Sequence, residues 1–278
     1  EGSCGEGGMV SVASICGVLR ELAPLELAES WDNVGLLLGD ESSEITRLMT
    51  CLTLTESVAE EAVNSGAGLV VTHHPLFFRP VKRVTMADGE GRTVLRLLRA
   101  GIAVYSAHTA WDSAATGINQ QLAELLGLGG IRVLREPPGG SGLAGGCGRY
   151  GQLQAPLGVL EFGRRAARLL GIAGIQIVSG CGDVQRVAVA CGAAAEYMRD
   201  AQRAGCDTLI TGEARFHAAL EAESLGMNLL VVGNYASERR GMEQMAAQLC
   251  QRLVGVECFA SGRERDPLVL EIAEGGVQ

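Results

Sequence analysis

Residues 67–75, AGLVVTHHP, set the reading of the chain. Leu69 to Val71 is an uninterrupted apolar run of strand-forming residues, the signature of a buried strand. It ends on Thr72, two adjacent histidines and a proline, which stops any regular element. Working outward, residues 46–54 read as a strand, 55–65 as a helix and 68–72 as the buried strand. A loop containing HHPLFFRP follows, then a helix over 92–100, a strand over 102–106 and a helix over 116–126. Short β-rich runs alternating with helical patterns predict an α/β architecture whose helices cover a sheet.

The second half repeats this rhythm: strand 185–191, helix 193–204, strand 207–211, helix 214–225, strand 228–232, helix 237–253 and strand 256–260. The correspondence extends to residues. AGLVVTHHP aligns with CDTLITGEA (206–214), and GIAVYSAHTAWD (101–112) aligns with GMNLLVVGNYASE (226–238) after one inserted residue. His108 and Asp112 stand four apart, as do Asn234 and Glu238. An internal duplication giving two related α/β lobes is expected. The boundaries follow from composition: a flexible N-terminal extension over 1–8, a first lobe over 9–136, a Gly/Pro-rich linker over 137–148 and a second lobe over 149–278. The linker contains Gly140-x-Gly142-x-x-Gly145, but prolines stand where the dinucleotide fingerprint needs a strand.

Composition excludes several classes. The chain of 278 residues has 47% hydrophobic and 20% charged residues, a globular balance. A net charge of −9 repels phosphate backbones, so no nucleic-acid partner is expected. The single lysine, Lys82, follows a valine, which excludes a Gly-Lys phosphate loop. Nine cysteines without a Cys-x-x-Cys pair argue against a disulfide framework and against a thiolate zinc site. No apolar run reaches membrane-spanning length, and EGSCGEGG is neither basic nor apolar enough for a signal peptide. A reduced, cytoplasmic protein away from the membrane is expected.

Three of the four histidines, His73, His74 and His108, fall in the first half. His73 and His74 follow one predicted strand directly, and His108 and Asp112 follow the next. Ligands of open α/β sheets bind beyond the carboxyl ends of strands. Imidazoles and a carboxylate gathered there are nitrogen and oxygen donors for a divalent metal. By the duplication, Glu213 and Glu238 occupy corresponding strand ends in the second half. His108 and Glu213 are candidates for moving protons. Plainer readings stand beside these: His217 as a partly buried helix histidine, Trp31 and Trp111 as packing residues, and Glu238 as an acid favouring a helix N-terminus. There is no His-Glu-x-x-His and no Gly-x-Ser-x-Gly motif. Cys147 and Cys181 remain open as nucleophiles.

The segments WDNVGLLLGD, THHPLFFRPVKRVT, AHTAWDSAATGIN, TGEARFH and GNYASER resemble, in order, the Nif-three-like family, also described as dinuclear metal centre proteins and GTP cyclohydrolase type-two homologues. The resemblance runs from Met9 to about Pro267 and is close to the short bacterial form, without a domain inserted between the halves. It implies the Nif-three-like α/β fold, a homo-oligomer in the form of a ring-shaped hexamer, and up to two divalent ions per chain, zinc, manganese or iron. The implied metal ligands are His73, His74, Asp112 and Glu238. Two such ions with two carboxylates and a hydroxide leave a charge of about +1, which favours a small anionic or heterocyclic substrate. The family name points to GTP, whose guanine C8 would be attacked by an activated water, opening the five-membered ring and releasing formate. The alternative is a non-catalytic metal-binding regulatory or interaction protein.

Asn234 stands where the family pattern has a ligand histidine, and an amide oxygen binds zinc or manganese less well than imidazole. One ion is therefore expected to be held less firmly than the other. Asn234→His is expected to raise metal content towards two ions per chain by elemental analysis. Unchanged stoichiometry in folded, metal-replete protein would show that this position does not control the site.

Overall fold

The computed structural model describes residues 8–137, 142–180 and 182–271. Nearly all of the expected N-terminal extension, and residues 138–141 of the expected linker, lie outside the described residues. The chain forms two compact units. The first takes the residues up to Gln121 with Val133–Arg149 and Glu238–Glu264; the second takes Leu122–Arg132, Tyr150–Ser237 and the residues from Arg265.

In chain order the first unit contributes β1 (Val10–Ser11), α1 (Val12–Leu22), β2 (Gly35–Leu38), β3 (Glu44–Ile45), β4 (Arg47–Cys51), α2 (Glu56–Ser65), β5 (Leu69–Thr72), α3 (Gly89–Arg99), β6 (Ala103–Ser106) and α4 (His108–Ser113). Three elements then divide between the units: α5 (Ile118–Leu125), β7 (Gly129–Arg135) and β8 (Cys147–Leu157). The second unit continues with α6 (Val159–Leu170), β9 (Gln176–Val178), β10 (Val184–Ala190), α7 (Met198–Arg203), β11 (Thr208–Thr211), α8 (Phe216–Leu225) and β12 (Asn228–Val231). The helix α9 (Asn234–Arg252) opens in the second unit and belongs to the first from Glu238 on, as does β13 (Glu257–Ala260).

The first unit holds a five-stranded sheet in the order β13-β4-β5-β6-β2. Strands β4, β5 and β6 are parallel, with Leu48 opposite Leu69 and Thr72 opposite Ser106. On one edge β13 runs parallel to β4, and on the other β2 runs antiparallel to β6. Every residue of β5 and β6 is buried, as the continuous apolar runs predict. The helices between the strands carry their own start and stop signals. Thr55 caps α2 by accepting from the Val58 N–H, and Gly66 closes it at φ 70°. The buried Val58, Ala59 and Ala62 of α2 join Met49, Val70, Leu97 and Val104 in one core. Burying a side chain of the size of Val or Leu contributes about 1.5–3 kcal/mol each.

The second unit's sheet has the order β7-β8-β10-β11-β12-β9. Again three successive strands, β10, β11 and β12, are parallel, and again an antiparallel strand, β9, flanks the third. Its core gathers Phe162, Val187, Val189, Ile210 and Leu230. In each unit the chain runs helix, antiparallel edge strand, then three parallel strands, so the topology repeats as the aligned sequences do. The helices that follow the third strands, α4 and α9, open at the aligned residues His108 and Asn234.

Several elements were not readable. At six residues α4 is too short to show a helical period. Strand β8 starts at Cys147, inside the Gly-rich stretch, so its first residues carry the composition of a loop. Among the described residues, no helix is long and apolar enough to cross a membrane.

Candidate metal centre

The candidate ligands His73, His74, Asp112 and Glu238, together with His108, all belong to the first unit. His73 and His74 extend past β5 without leaving its hydrogen-bond ladder. The His73 N–H donates to the Cys51 carbonyl at 3.0 Å and the His74 N–H to the Leu52 carbonyl at 2.9 Å. The Ser106 hydroxyl donates to the His73 carbonyl at 2.9 Å, and the Thr72 hydroxyl donates to the His74 carbonyl at 3.0 Å. With both peptide groups held on each side, neither imidazole is free to swing with its backbone.

His73 is fully buried, yet neither ring nitrogen has a hydrogen-bond partner. Its Nε2 instead faces two carboxylates, Asp112 Oδ1 at 3.5 Å and Glu238 Oε1 at 3.6 Å. The other oxygen of Glu238 lies 3.1 Å from His74 Nε2, so this one carboxylate addresses both histidines. His74 Nδ1 is 2.8 Å from the Thr53 hydroxyl. The nitrogens of His73, His74 and His108 lie within 4.8 Å of one another, and so do the ligand atoms of His73, Asp112 and Glu238. Leaving a buried imidazole without partners is costly. A divalent cation held by the nitrogen and the carboxylates would remove that cost, and nitrogen with carboxylate oxygen is a donor set suited to such an ion.

Asp32 is the residue the sequence reading passed over. Its side chain is fully buried and its Oδ1 lies 2.7 Å from His108 Nδ1. The Thr109 hydroxyl donates to Oδ2, the Thr109 N–H donates to the same oxygen at 3.1 Å, and the Asn33 N–H donates to Oδ1 at 2.7 Å. Burial alone would raise the Asp32 pKa, but His108, Thr109 and Asn33 outweigh it and hold the carboxyl below its usual value. His108 has φ 26°, the one positive value at a non-glycine among the described residues. Such backbone strain is found where surrounding contacts over-determine a functional residue. The signal available for Asp32 was its place in WDNVGLLLGD, one of the segments that carry the family resemblance.

The two tryptophans separate. Trp111 is a packing residue as expected, fully buried, with its indole N–H donating to the Gly241 carbonyl at 3.3 Å. Trp31 is not: it is 59% exposed. His217 is also exposed on α8 rather than partly buried. Glu213 is exposed at the end of β11 in the second unit, its N–H donating to the Gly192 carbonyl at 3.0 Å. Asn234 opens α9, and its Oδ1 is buried without a hydrogen-bond partner.

An α/β protein with a buried cluster of imidazoles and carboxylates beyond its strand ends is the class that fold and site define. The profile of the Duf34/NIF3 (NGG1p interacting factor 3) family matches residues 10–267, and the chain belongs to that family. It is similar to a GTP cyclohydrolase 1 type 2 homolog of Clostridium perfringens, 33% identical over 91% of this chain and 97% of the other. It is also similar to the GTP cyclohydrolase 1 type 2 of Helicobacter pylori strain 26695, 30% identical over 90% of this chain and 97% of the other. Its fold resembles that of a Bacillus cereus protein related to NIF3, at a TM-score of 0.88 and 22% identity, covering 95% of this chain and all of the other.

The electrostatics of the cluster's own side chains give a pH signature. Burial opposes a charge on His73, but Asp112 and Glu238 override it and raise its pKa from 6.5 to about 9. A raised histidine pKa contributes stability that is fully present below 6.5 and is lost as the pH rises through about 9. In chelator-treated protein the melting temperature should fall across that interval more steeply than in His73→Gln. Parallel pH profiles for the two proteins would show that His73 does not hold this charge.

Proposed function

We propose that this chain is a metal-dependent hydrolase acting on GTP or a related nucleotide or heterocycle, with divalent ions held by His73, His74, Asp112 and Glu238. One observation carries the reading: a fully buried imidazole with no hydrogen bond, whose Nε2 faces carboxylate oxygens at 3.5 and 3.6 Å. Hydrophobic packing alone gives no reason to bury that group between two acids. A divalent ion held there would supply Lewis acidity and lower the pKa of a bound water towards neutrality. The names of the Clostridium and Helicobacter relatives support GTP as the first substrate to test.

The chain's own residues divide the remaining work. Glu238, with one oxygen towards each of His73 and His74, would hold metal together with both histidines. Its carboxyl is held well below the usual carboxylate value, because His73 and His74 outweigh its burial. With the Nδ1–H of His108 donated to Asp32, Nε2 is the nitrogen left to hold or pass a proton. Glu213 is the second candidate for proton transfer. The setting we propose is cytoplasmic.

Purified protein loaded in turn with zinc, manganese and iron is expected to release formate from GTP. His73→Ala should lose metal by elemental analysis and lose formate release with it. Fully loaded wild-type protein that releases no formate with any of the three metals would remove the cyclohydrolase reading. The assembly we propose is a homohexamer, for which light scattering at micromolar concentration should give six chain masses. A monomer under those conditions would refute it.

A further inference from the structure

We propose that Trp31 and Phe78 form a stacking platform for the planar ring of a nucleotide beside the metal centre, with Arg79, Lys82 and Arg83 meeting its phosphates. The proposal rests on the reading of the site as one that takes a nucleotide, and it assigns the residues that would recognise one.

Aromatic residues make up 4% of this chain, and of its eleven only Trp31, Phe78 and Phe216 are exposed. Trp31 and Phe78 are 59% and 56% exposed, and they are not scattered. Their ring centroids are 5.8 Å apart, and each lies beside His108, at 6.0 and 6.2 Å. His108 in turn lies beside His73 and His74, with centroids 5.2 and 5.8 Å away. The two exposed aromatics therefore border the histidine cluster, and both meet His108 with their rings turned steeply to it. A tilt of 58° between Trp31 and Phe78 excludes a sandwich of both around one ring. It leaves a floor and a side wall for a flat ligand.

The pair is built into the site. The Asn33 side-chain amide donates to the Phe77 carbonyl at 2.7 Å, tying the Trp31 segment to the loop that carries Phe78. The Asn33 N–H donates to Asp32, the carboxylate that orients His108. Displacing the platform would disturb the same hydrogen bonds that set the His108 ring. Leaving an indole in water also forgoes the free energy of burying it, so an exposed pair held this way points to a ligand.

Charge completes the pattern. The chain carries a net −9, yet residues 76–87, LFFRPVKRVTMA, contain three basic side chains and no acidic one. Arg79, Lys82 and the neighbouring Arg83 are all exposed, and Lys82 is the single lysine of the protein. An aromatic surface for a ring with adjoining cations for phosphate is how proteins recognise nucleotides without reading base edges. The sequence tolerance of stacking means that any purine ring would suit the platform.

The chain reports on its own platform, since of its two tryptophans Trp111 is buried and Trp31 is exposed. Metal-loaded protein would be titrated with GTP, ATP and guanosine while following tryptophan emission, with metal per chain measured on the same samples. Saturable quenching by GTP and ATP is expected, and weaker binding of guanosine. In Trp31→Ala the ligand-dependent quench should vanish. By calorimetry, Trp31→Ala and Phe78→Ala should each weaken GTP binding roughly tenfold, the worth of one stacked base. Metal content should stay at the wild-type value in both. Replacing Arg79, Lys82 and Arg83 with alanine together should weaken GTP and leave guanosine unchanged. Wild-type GTP affinity in both aromatic variants, or no quench with any of the three ligands, would overturn the proposal. Formate release separates the two readings. Quenching without turnover keeps the platform and removes the hydrolase; turnover with an unchanged KM in both aromatic variants does the reverse.

Discussion

The first unit is organised around an imidazole that the fold buries and does not satisfy. His73 has no exposed surface, no hydrogen-bond partner for either ring nitrogen, and two carboxylates just beyond hydrogen-bonding distance of one of them. Buried polar groups are satisfied in the great majority of cases, and an orphaned one marks a place where stability is given up for function. The elements around it are arranged so that this one side chain cannot escape. Its N–H and its carbonyl are both tied to neighbouring strands, so its backbone cannot carry the ring away without breaking the sheet.

The surrounding structure transmits that constraint outward. The chain after β4 carries Thr53, which meets His74, and the N–H groups of Leu52 and Thr53 donate to the Glu264 carboxylate. Glu264 is paired in turn with Arg239 at 3.1 Å, the residue next to Glu238. One loop of polar contacts thus joins the His74 side of the cluster to the helix that supplies its shared carboxylate. That helix packs closely: a Cβ at Gly241 would lie 2.5 Å from Ile118 Cγ1. The glycine lets α9 approach the start of α5, and the Gly241 carbonyl receives the Trp111 indole N–H one residue before Asp112. At the far end of α4, the buried Arg149 guanidinium donates to the carbonyls of Ser113 and Ala114. Asp112 therefore sits on a short helix fixed at its core face and at its C-terminal end.

The duplication gives this arrangement a history in physical terms. Two copies of the same strand pattern supply two sets of strand ends, and the copies diverge at them. Where the first presents His73, His74, His108 and Asp112, the second presents Gly212, Glu213, Asn234 and Glu238. The parallel core that carries the strand ends is retained in both units, because any residue facing inward from β5 or β11 must remain apolar or find a backbone partner. Strand-end residues escape that requirement, which leaves them free to take on chemistry.

The sequence alone determined the period of the fold. Buried strands such as Leu69–Thr72 and Thr208–Thr211 announce themselves by apolar runs, and intervening helices by caps such as Thr55 and Gly66, because these signals are local. It also placed His73, His74 and Asp112 at strand ends, since position along an alternating pattern fixes which end of a strand a residue occupies. It did not show α4, whose six residues hold their shape through contacts rather than periodicity. Nor did it single out Asp32, which acquires meaning only when the chain brings it 2.7 Å from a histidine 76 positions later. The exposure of Trp31 was likewise undetermined, because an indole reads as core material until its surroundings are known. Residue type and spacing fix local conformation and chemical potential for ligation; burial, and the partners that burial grants or withholds, are properties of the folded chain.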